Sequence, residues 1–224
     1  MIFGKIEYLN LLPFHVFMKR YLKGSQQQQI LQYKRGVPAQ INTAFKRRRV
    51  DAAFISSIAS RRCKCLNLGI MARQEVKSVL LLPGKELSDK ESATSNVLAK
   101  VLKLQGQVLI GDKALKHHLT HQDDAIDLAK LWYERQHLPF VFARLCYHGK
   151  TKTYEKLSAQ FLRSSHKIPY YLLIKASQRT GIKPQDILEY LSLIEYDLDR
   201  HALLGLKRFL RLSDALQKSA LTPH

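Results

Sequence analysis

The stretch that decides the fold is "IFGKIEYLNLLPFHVFMKRYL", residues 2–22. Its first part, Ile2 to Tyr8, has the pattern of a short β-strand, and residues 12–22 repeat apolar side chains near helical spacing. The polar Asn10 stands between them, where the chain changes from extended to helical. The stretch therefore predicts a strand that runs directly into a helix, with an amide side chain at the junction.

The first half of the chain continues this alternation. A second strand is predicted at 30–34, a helix at 38–49, and a third strand in "VDAAFISS", residues 50–57. That strand is predicted to run into a short helix in "SIASRRC", residues 57–63. Strands that alternate with helices are typical of an α/β fold with parallel strands.

Two apolar strands, at 78–83 and 139–147, enclose a middle segment long enough for a small lobe. We predict that these strands cross between two lobes. Lobe 1 is then residues 1–78 and 147–224, and lobe 2 is residues 79–146. After Gly149 the pattern predicts helices and no further strand. These helices are expected at 151–165, 168–179, 184–196 and 199–217.

The 224 residues include 37 Lys and Arg against 18 Asp and Glu, a formal net charge of +19. A charge of this size attracts anions, either nucleic acid or a small acidic metabolite. The one dense basic run is Lys46-Arg47-Arg48-Arg49. We interpret it as the solvated last turn of the predicted helix rather than as a nucleic-acid patch, because helix C-termini favour cations.

No apolar run approaches the roughly 18 residues that span a bilayer, and the N-terminus lacks a secretory pattern. Cys63, Cys65 and Cys146 are odd in number and suggest no disulfide framework, so Cys146 is expected to be a small buried thiol. We therefore expect a cytoplasmic protein with no membrane partner. The histidines at 117, 118 and 121 have no carboxylate or cysteine at ligand spacing, so no metal site is expected.

Small polar residues stand at the ends of the predicted strands, where helices are expected to begin. They are Asn10, Ser56-Ser57, Thr94-Ser95 and Gly111-Asp112. Ligands bind beyond the carboxyl ends of strands in open α/β sheets, and free N–H groups at helix starts hold carboxylates. The same residue types are also preferred N-caps without any ligand. Their convergence on one side of the sheet favours an anion-binding cleft between two α/β lobes.

Seven motifs resemble, in order and spacing, the chorismate dehydratase family of the futalosine route to menaquinone. They are "YLNLLPF", "GVPAQI", "VDAAFISSI", "SVLLLP", "ATSNVLAKVL", "LIGDKAL" and "LPFVFA". The match covers about residues 5–146, and "YDLDRHALLGLKRFL" is similar to the family's C-terminal helix. The chain departs from the family at Ala59, where Glu usually follows "ISSI", in its glutamine tract, and in a shorter segment before "LIGD".

The resemblance implies a two-lobed α/β fold like that of type II periplasmic binding proteins. Parallel-rich sheets, two crossing strands and a helical C-terminal region belong to that expectation. The resemblance also implies a cytoplasmic hydro-lyase that removes water from chorismate to give 3-[(1-carboxyvinyl)oxy]benzoate, the first step of futalosine-dependent menaquinone biosynthesis. Such an elimination calls for no metal or redox cofactor. The expected partner is the small-molecule substrate alone, and the expected state is a monomer or homodimer.

Within this resemblance, Asn10 is predicted to be catalytic, in contact with the departing hydroxyl or the developing enolate. The predicted substrate-binding residues are Tyr8, Ser56, Ser57, Ser78, Thr94, Ser95 and Asp112. The hypothesis requires Asn10, Ser57 and Ser95 to share one cavity. No His or Glu of the motifs is an evident base, and one of the substrate's own carboxylates could take the proton.

Three other interpretations stay open. One is a non-catalytic solute-binding protein for a small carboxylate. Another is the related dihydroxynaphthoate synthase, which shares the fold but begins with a Cys/Pro-rich signature in place of "YLN". A third is a basic nucleic-acid binder, for which no known binding motif is present.

Overall fold

The computed structural model describes residues 1–22, 32–121 and 125–221, with side chains described for residues 1–21, 32–121 and 125–218. The glutamine tract at 26–29 and the start of the predicted strand at 30–34 lie outside the described residues. The strands are β1 (Ile2–Lys5), β2 (Gln32–Arg35), β3 (Ala52–Ser56), β4 (Cys65–Ala72), β5 (Val79–Leu82), β6 (Gln107–Ile110), β7 (Ile126–Asp127), β8 (Phe140–Tyr147) and β9 (Glu195–Asp197). The helices are α1 (Leu12–Leu22), α2 (Pro38–Lys46), α3 (Ala93–Val101), α4 (Gly111–Thr120), α5 (Leu128–Gln136), α6 (Thr151–Arg163), α7 (Tyr170–Thr180), α8 (Pro184–Ser192) and α9 (Arg200–Leu221).

The N-terminal stretch folds as its sequence predicts. Strand β1 leads into a 3-10 turn, Leu9–Leu11, and α1 follows at once. The ring of Phe14 on α1 packs against Phe3 and Phe54, with ring centroids 5.6 and 4.9 Å apart. This aromatic contact joins the first helix to two neighbouring strands, because the apolar side of α1 has no other place to be buried.

The larger sheet has the strand order β2-β1-β3-β8-β4-β9. Strands β2, β1 and β3 run parallel, as the alternation of strands and helices predicts. Strands β8, β4 and β9 are each antiparallel to their neighbours. All five residues of β3 are buried, because this strand lies inside the sheet and α2 packs against it. The prediction of an α/β fold is confirmed, with a mixed sheet.

Helix α2 carries the basic run at its C-terminal end, as predicted. It begins at Pro38, buries Ile41 and Phe45, and ends at Lys46. Residues 47–49 form an exposed turn beyond it. The cations therefore lie in solvent at the C-terminal end of the helix, where the helix dipole favours them.

The smaller sheet has the order β6-β5-β7, and both pairings are antiparallel. It contains only residues of the middle segment. Strand β5 begins at Val79, where lobe 2 was predicted to begin. The middle segment thus has a sheet of its own.

The two strands predicted to cross between the lobes pair within different sheets. Strand β8 pairs with β3 and β4 along residues 140–147, so these residues belong to the larger sheet. Strand β5 pairs with β6 and β7 in the smaller sheet. The division into lobes, with its boundaries at 78 and 146 and its two crossing strands, stays a prediction.

Three further expectations about elements are wrong. A strand does occur after Gly149, because β9 pairs with β4 at the sheet edge. Strand β4 itself was not predicted. The segment 57–63 forms turns rather than a short helix. Strand β9, with three residues, is too short to show a periodicity, and its partner β4 lies far earlier in the chain.

The expectation that Cys146 is a free buried thiol is also wrong. Its sulfur is bonded to that of Cys65, with the two Cα atoms 3.9 Å apart. The two residues are direct partners in the antiparallel register of β4 and β8. The sequence separation of 81 residues hides this pairing, because it follows from the sheet topology alone. Cys63 is a free cysteine.

Among the described residues, no helix is both long enough and apolar enough to cross a membrane. The longest, α9, has charged residues distributed along its length.

Candidate active site

A cavity of about 630 Å³, part of it open to solvent, lies where the polar ends of several strands meet. Its polar lining consists of one phenol, one amide and hydroxyl groups: Tyr8, Asn10, Ser56, Ser78, Ser92, Thr94 and Ser95. The remaining lining is apolar or glycine: Ile6, Leu11, Pro38, Phe54, Ile70, Val76, Val79, Ile110, Gly111, Phe142 and Ala143. No charged side chain of the described residues lines it.

Asn10 lies in the 3-10 turn before α1. The N-cap of this 3-10 turn is Tyr8 and not Asn10, and the Tyr8 side chain makes no capping hydrogen bond. The backbone oxygen of Asn10 accepts a hydrogen bond of 2.7 Å from the hydroxyl of Tyr196. Its side-chain Oδ1 is buried and has no hydrogen-bond partner among the described residues. A buried amide oxygen without a partner is costly, so it is available for a ligand.

Tyr8 lines both the cavity and a neighbouring outer depression. Its hydroxyl donates to the carboxylate of Glu91, which precedes α3. Burial, reinforced by this carboxylate, raises the pKa of the Tyr8 phenol, so the group stays protonated and acts as a donor. The contact joins the segment after β1 to the segment before α3.

Ser56, at the end of β3, is fixed by Asn42 of α2. The Asn42 Nδ2 donates to the serine Oγ at 2.9 Å, and the serine N–H donates to Asn42 Oδ1 at 3.2 Å. Because the hydroxyl oxygen already accepts one bond, its own hydrogen is free to point at a ligand.

The start of α3 brings three hydroxyl groups to the cavity. Ser92 is the N-cap of the helix, and its Oγ accepts from the Ser95 N–H at 3.1 Å. The same Oγ lies 2.8 Å from the Oγ of Ser95. Thr94 Oγ1 accepts from the backbone N–H of Ile58 at 3.2 Å, which joins α3 to the turn after β3. These groups surround a helix N-terminus, where the helix dipole favours a negative charge.

Ser78, just before β5, is almost completely buried. Its backbone oxygen accepts from the N–H of Gly111, and its Oγ lies 3.0 Å from the hydroxyl of Tyr190 on α8. The residue therefore joins the start of α4 and the C-terminal helices to the cavity.

Two of the predicted site residues do not line the cavity. Ser57 is fully buried, and its hydroxyl donates to the backbone oxygen of Val141 at 2.5 Å. The prediction that Asn10, Ser57 and Ser95 share one cavity therefore fails for Ser57, because the turn after β3 directs this side chain toward β8. Asn10 and Ser95 do share it.

Asp112 is the second exception, and its contacts are structural. Its Oδ1 accepts from the Leu9 N–H at 2.9 Å, and its Oδ2 lies 2.9 Å from Arg179. Burial raises the pKa of the Asp112 carboxyl, and the Leu9 N–H and the Arg179 guanidinium oppose that rise. The residue holds α4 against the 3-10 turn before α1 and against α7.

An outer depression adjoins the cavity and shares Ile6, Tyr8 and Ile110 with it. Its charged side chains are three cations and three acids: Arg35, Lys113, Arg179, Glu7, Glu91 and Asp112. Lys113 pairs with Asp89 at 2.9 Å. The charged groups therefore lie outside the cavity, largely balanced, while the cavity itself is neutral.

The sequence matches the family described as menaquinone biosynthesis over residues 1–107 and 101–215. This match covers well over half of the chain. The chain belongs to the menaquinone biosynthesis family.

A curated relative in Campylobacter jejuni subsp. jejuni, named chorismate dehydratase, is 43% identical over 220 residues, which cover 96% of this chain and 99% of that protein. A solved structure of an Archaeoglobus fulgidus protein is 11% identical and superposes with a TM-score of 0.70 over 97% of each chain. The periplasmic aliphatic sulphonate binding protein of Escherichia coli is 10% identical, with a TM-score of 0.54 over 100% of this chain and 94% of that one. The periplasmic-binding-protein-like fold is thereby confirmed.

In this member of the menaquinone biosynthesis family, sequence reasoning missed two groups of functional interest. Ser92 lines the cavity and caps α3, and its position one residue before the helix is the signal that could have shown it. Tyr190 lies behind the cavity, on a helix that the sequence marks only as amphipathic. Nothing near it in the chain points to the site.

The described part of this family member contains no group of three His, Cys, Asp or Glu side chains able to hold a metal ion. The rings of His117 and His121 stack on each other, 4.2 Å apart. The cavity itself offers hydrogen bonds from its hydroxyl and amide groups, the dipole of α3 and a largely apolar lining that excludes water.

Proposed function

We propose that this protein is a chorismate dehydratase, which eliminates water from chorismate to give 3-[(1-carboxyvinyl)oxy]benzoate at the start of futalosine-dependent menaquinone biosynthesis. The observation that carries the proposal is the 43% identity, over nearly all of both chains, to the curated chorismate dehydratase of Campylobacter jejuni. Membership of the menaquinone biosynthesis family supports the same reaction.

The chemistry of the substrate fits a neutral cavity. Chorismate carries two carboxylates, a ring hydroxyl at C4 and a ring proton at C3, the carbon that bears the ether oxygen. Removal of the C3 proton gives a carbanion that the ring diene delocalises toward the ring carboxylate. Loss of the C4 hydroxyl, which leaves with a proton as water, then gives an aromatic ring. Aromatisation drives the reaction, so the protein has to orient the substrate and exclude water.

The hydroxyl groups at the start of α3 are placed to bind a carboxylate. Ser92 and Ser95 lie at the positive end of the helix dipole, and Ser56 faces the same cavity. Neutral donors in a site with little water form stronger hydrogen bonds than they do in solution. In this proposal they fix the two carboxylates and leave the C3 and C4 positions near Asn10.

Asn10 is the proposed catalytic residue. Its amide lines the cavity, so the N–H groups of its Nδ2 can donate to the C4 oxygen as the hydroxyl departs. No carboxylate, imidazole or amine of the described residues lines the cavity. We therefore assign the abstraction of the C3 proton to a carboxylate of the substrate itself, held in place by the hydroxyl groups.

The test is an assay of the purified protein with chorismate, without added metal or nucleotide, in which a new aromatic absorbance is followed. We expect turnover by the wild type. Asn10→Ala is expected to lower kcat about 10²- to 10³-fold, as does loss of one donor from an oxyanion hole. Asn67→Ala is the matched control, because the Asn67 side chain is exposed on β4 outside the cavity.

Each alternative has its own outcome. Tight binding of chorismate without product would identify a solute-binding protein and overturn the enzyme. Equal turnover by the two asparagine variants would remove Asn10 from the mechanism while leaving the dehydratase in place. Salt-sensitive retention on DNA, with no response to chorismate, would favour the nucleic-acid binder.

A further inference from the structure

The side-chain amide of Asn42, on α2, makes two hydrogen bonds to Ser56 at the end of β3. The Ser56 N–H donates to Asn42 Oδ1 at 3.2 Å, and Asn42 Nδ2 donates to Ser56 Oγ at 2.9 Å. Because a backbone N–H can only donate, the atom that faces it is the amide oxygen, and the amide nitrogen therefore lies against the hydroxyl. An amide nitrogen does not accept, so the hydrogen of the Ser56 hydroxyl points away from Asn42.

The sheet register shows that the Ser56 side chain lies on the cavity face. Ser56 is the partner of Ala143 in β8, and Ala143 is the partner of Ile70 in β4. Directly opposed residues project from the same face of a sheet, and so does Phe54, two residues before Ser56. All four residues line the cavity, whereas Asn42 does not. The free hydrogen of Ser56 is thus on a side chain at the cavity wall.

Thr94, at the start of α3, has the same hydrogen-bond polarity. Its Oγ1 accepts from the backbone N–H of Ile58 at 3.2 Å, and the residue lines the cavity. Both Ser56 and Thr94 are buried. In the part of the chain that the structure describes, neither hydroxyl donates a hydrogen bond to a protein acceptor. A buried donor without an acceptor is costly, so both hydroxyls favour a ligand that brings acceptor oxygens.

We propose that Asn42 is a positioning residue that fixes the Ser56 hydroxyl as a donor toward the ligand, and thereby selects a carboxylate at that place in the cavity. The inference rests on the proposed dehydratase function for the identity of the substrate. An ionised carboxylate offers acceptors only, and hydrogen bonds to it are stronger than those to a neutral group. An amide in the same place would bring N–H groups that meet further donors.

The first test measures the affinity of two unreactive probes by calorimetry: isophthalate, an aromatic dicarboxylate, and isophthalamide, its neutral diamide. The wild type should bind isophthalate at least tenfold more tightly. Asn42→Asp keeps an acceptor for the Ser56 N–H but replaces the Nδ2 donor by an oxygen, so the Ser56 hydrogen turns toward it. The preference for isophthalate should then fall at least tenfold. A wild type with equal affinity for both probes would overturn the inference.

Two further variants separate the polarity of Ser56 from the added charge of the aspartate. Thr43→Asp adds the same charge on α2, at an exposed residue outside the cavity, and should keep the preference within about threefold. In the background of Ser56→Ala, the loss caused by Asn42→Asp should shrink to less than about threefold, because coupled residues are not additive. A full loss in that background would show that Asn42 acts without Ser56 and would contradict the proposal.

Turnover of chorismate completes the test. Asn42→Asp should lower kcat/KM about 10- to 100-fold, the effect of one lost hydrogen bond to a charged group, and Thr43→Asp should stay near the wild type. The probe measurements need no turnover. If the wild type makes no product but Asn42→Asp loses the preference for isophthalate, the dehydratase is wrong and the positioning role stands. If Asn42→Asp keeps the wild-type preference, the positioning role is wrong whatever the activity.

Discussion

Gly111 shows how the conformation of one residue controls the position of a cavity side chain, Tyr8. Its φ is +69°, in the region that favours glycine, and a Cβ there would lie 2.8 to 3.0 Å from ring atoms of Tyr8. Its N–H donates to the backbone oxygen of Ser78. The absence of a side chain therefore lets Tyr8 approach β6 and α4 and make its contact with Glu91.

Gly111→Ala should displace the Tyr8 ring and weaken the Tyr8–Glu91 contact. We expect kcat/KM for chorismate to fall at least tenfold, and the free energy of unfolding to fall by about 2 to 4 kcal/mol from backbone strain plus the steric clash. Gly149→Ala is the control, because its φ is +89° and a Cβ there meets nothing within 4 Å. That variant should lose only the strain, about 1 to 2 kcal/mol, and keep its activity. Equal activity in both variants would show that the Tyr8 contact is unimportant.

At the scale of single residues, the sequence predicted part of the candidate site. Asn10 and Ser95 were predicted from their positions at an element junction and at a helix start, and both line the cavity. Ser57 was not predictable, because the direction of its side chain depends on Val141, 84 residues later in the chain. Tyr190 was not predictable either, since its contact with Ser78 spans 112 residues. Local patterns identify polar groups at element ends, while the packing of distant elements decides which of them face the ligand.

At the scale of elements, the N-terminus of α3 combines two roles in one residue. Ser92 caps the helix, and its hydroxyl also borders the cavity. A cap satisfies a free N–H and stabilises the helix, while the free N–H groups and the dipole attract an anion. The two roles make opposite demands on charge, because a capping carboxylate is as good for the helix as a hydroxyl but repels an anionic ligand.

Two substitutions at Ser92 separate these roles. Ser92→Ala should lower the free energy of unfolding by about 1 kcal/mol and the Tm by about 2 to 4 °C. Ser92→Asp should keep the Tm near that of the wild type, because aspartate is an equally good N-cap. It should nevertheless raise the KM for chorismate at least tenfold, since it places a negative charge beside the substrate carboxylates. Thermal melting and steady-state kinetics measure the two effects. An Asp variant with wild-type KM would mean that no carboxylate binds at this helix start.

The sequence predicted helices better than strands, for a physical reason. A helix such as α2 or α8 carries its apolar period within one segment, together with the Pro at its start. Strand β9 has three residues, and it exists because β4 offers it an edge. The pairing of β8 with β3 and β4 likewise depends on elements far apart in sequence, and so does the bond between Cys65 and Cys146.

At the scale of the whole molecule, a net charge of +19 surrounds a cavity without charged lining. The outer depression adds little local charge, because its three cations face three acids. The long-range field therefore attracts a dianion, while the contacts in the cavity come from neutral groups. Attraction over a distance is screened by salt, whereas interactions with buried groups are screened much less.

This separation predicts that salt acts on capture and not on chemistry. Raising the ionic strength from about 10 to about 150 mM shortens the screening length from about 30 to about 8 Å. We expect kcat/KM for chorismate to fall several-fold while kcat stays constant. Arg35 lies in the outer depression, and Arg35→Gln should lower kcat/KM at low and at high salt. Lys207 lies on α9, outside the depression, and Lys207→Gln should lower kcat/KM only at low salt. A kcat that falls in parallel with kcat/KM would contradict this prediction. The charge interactions that salt screens would then act in the transition state and not on the path into the cavity.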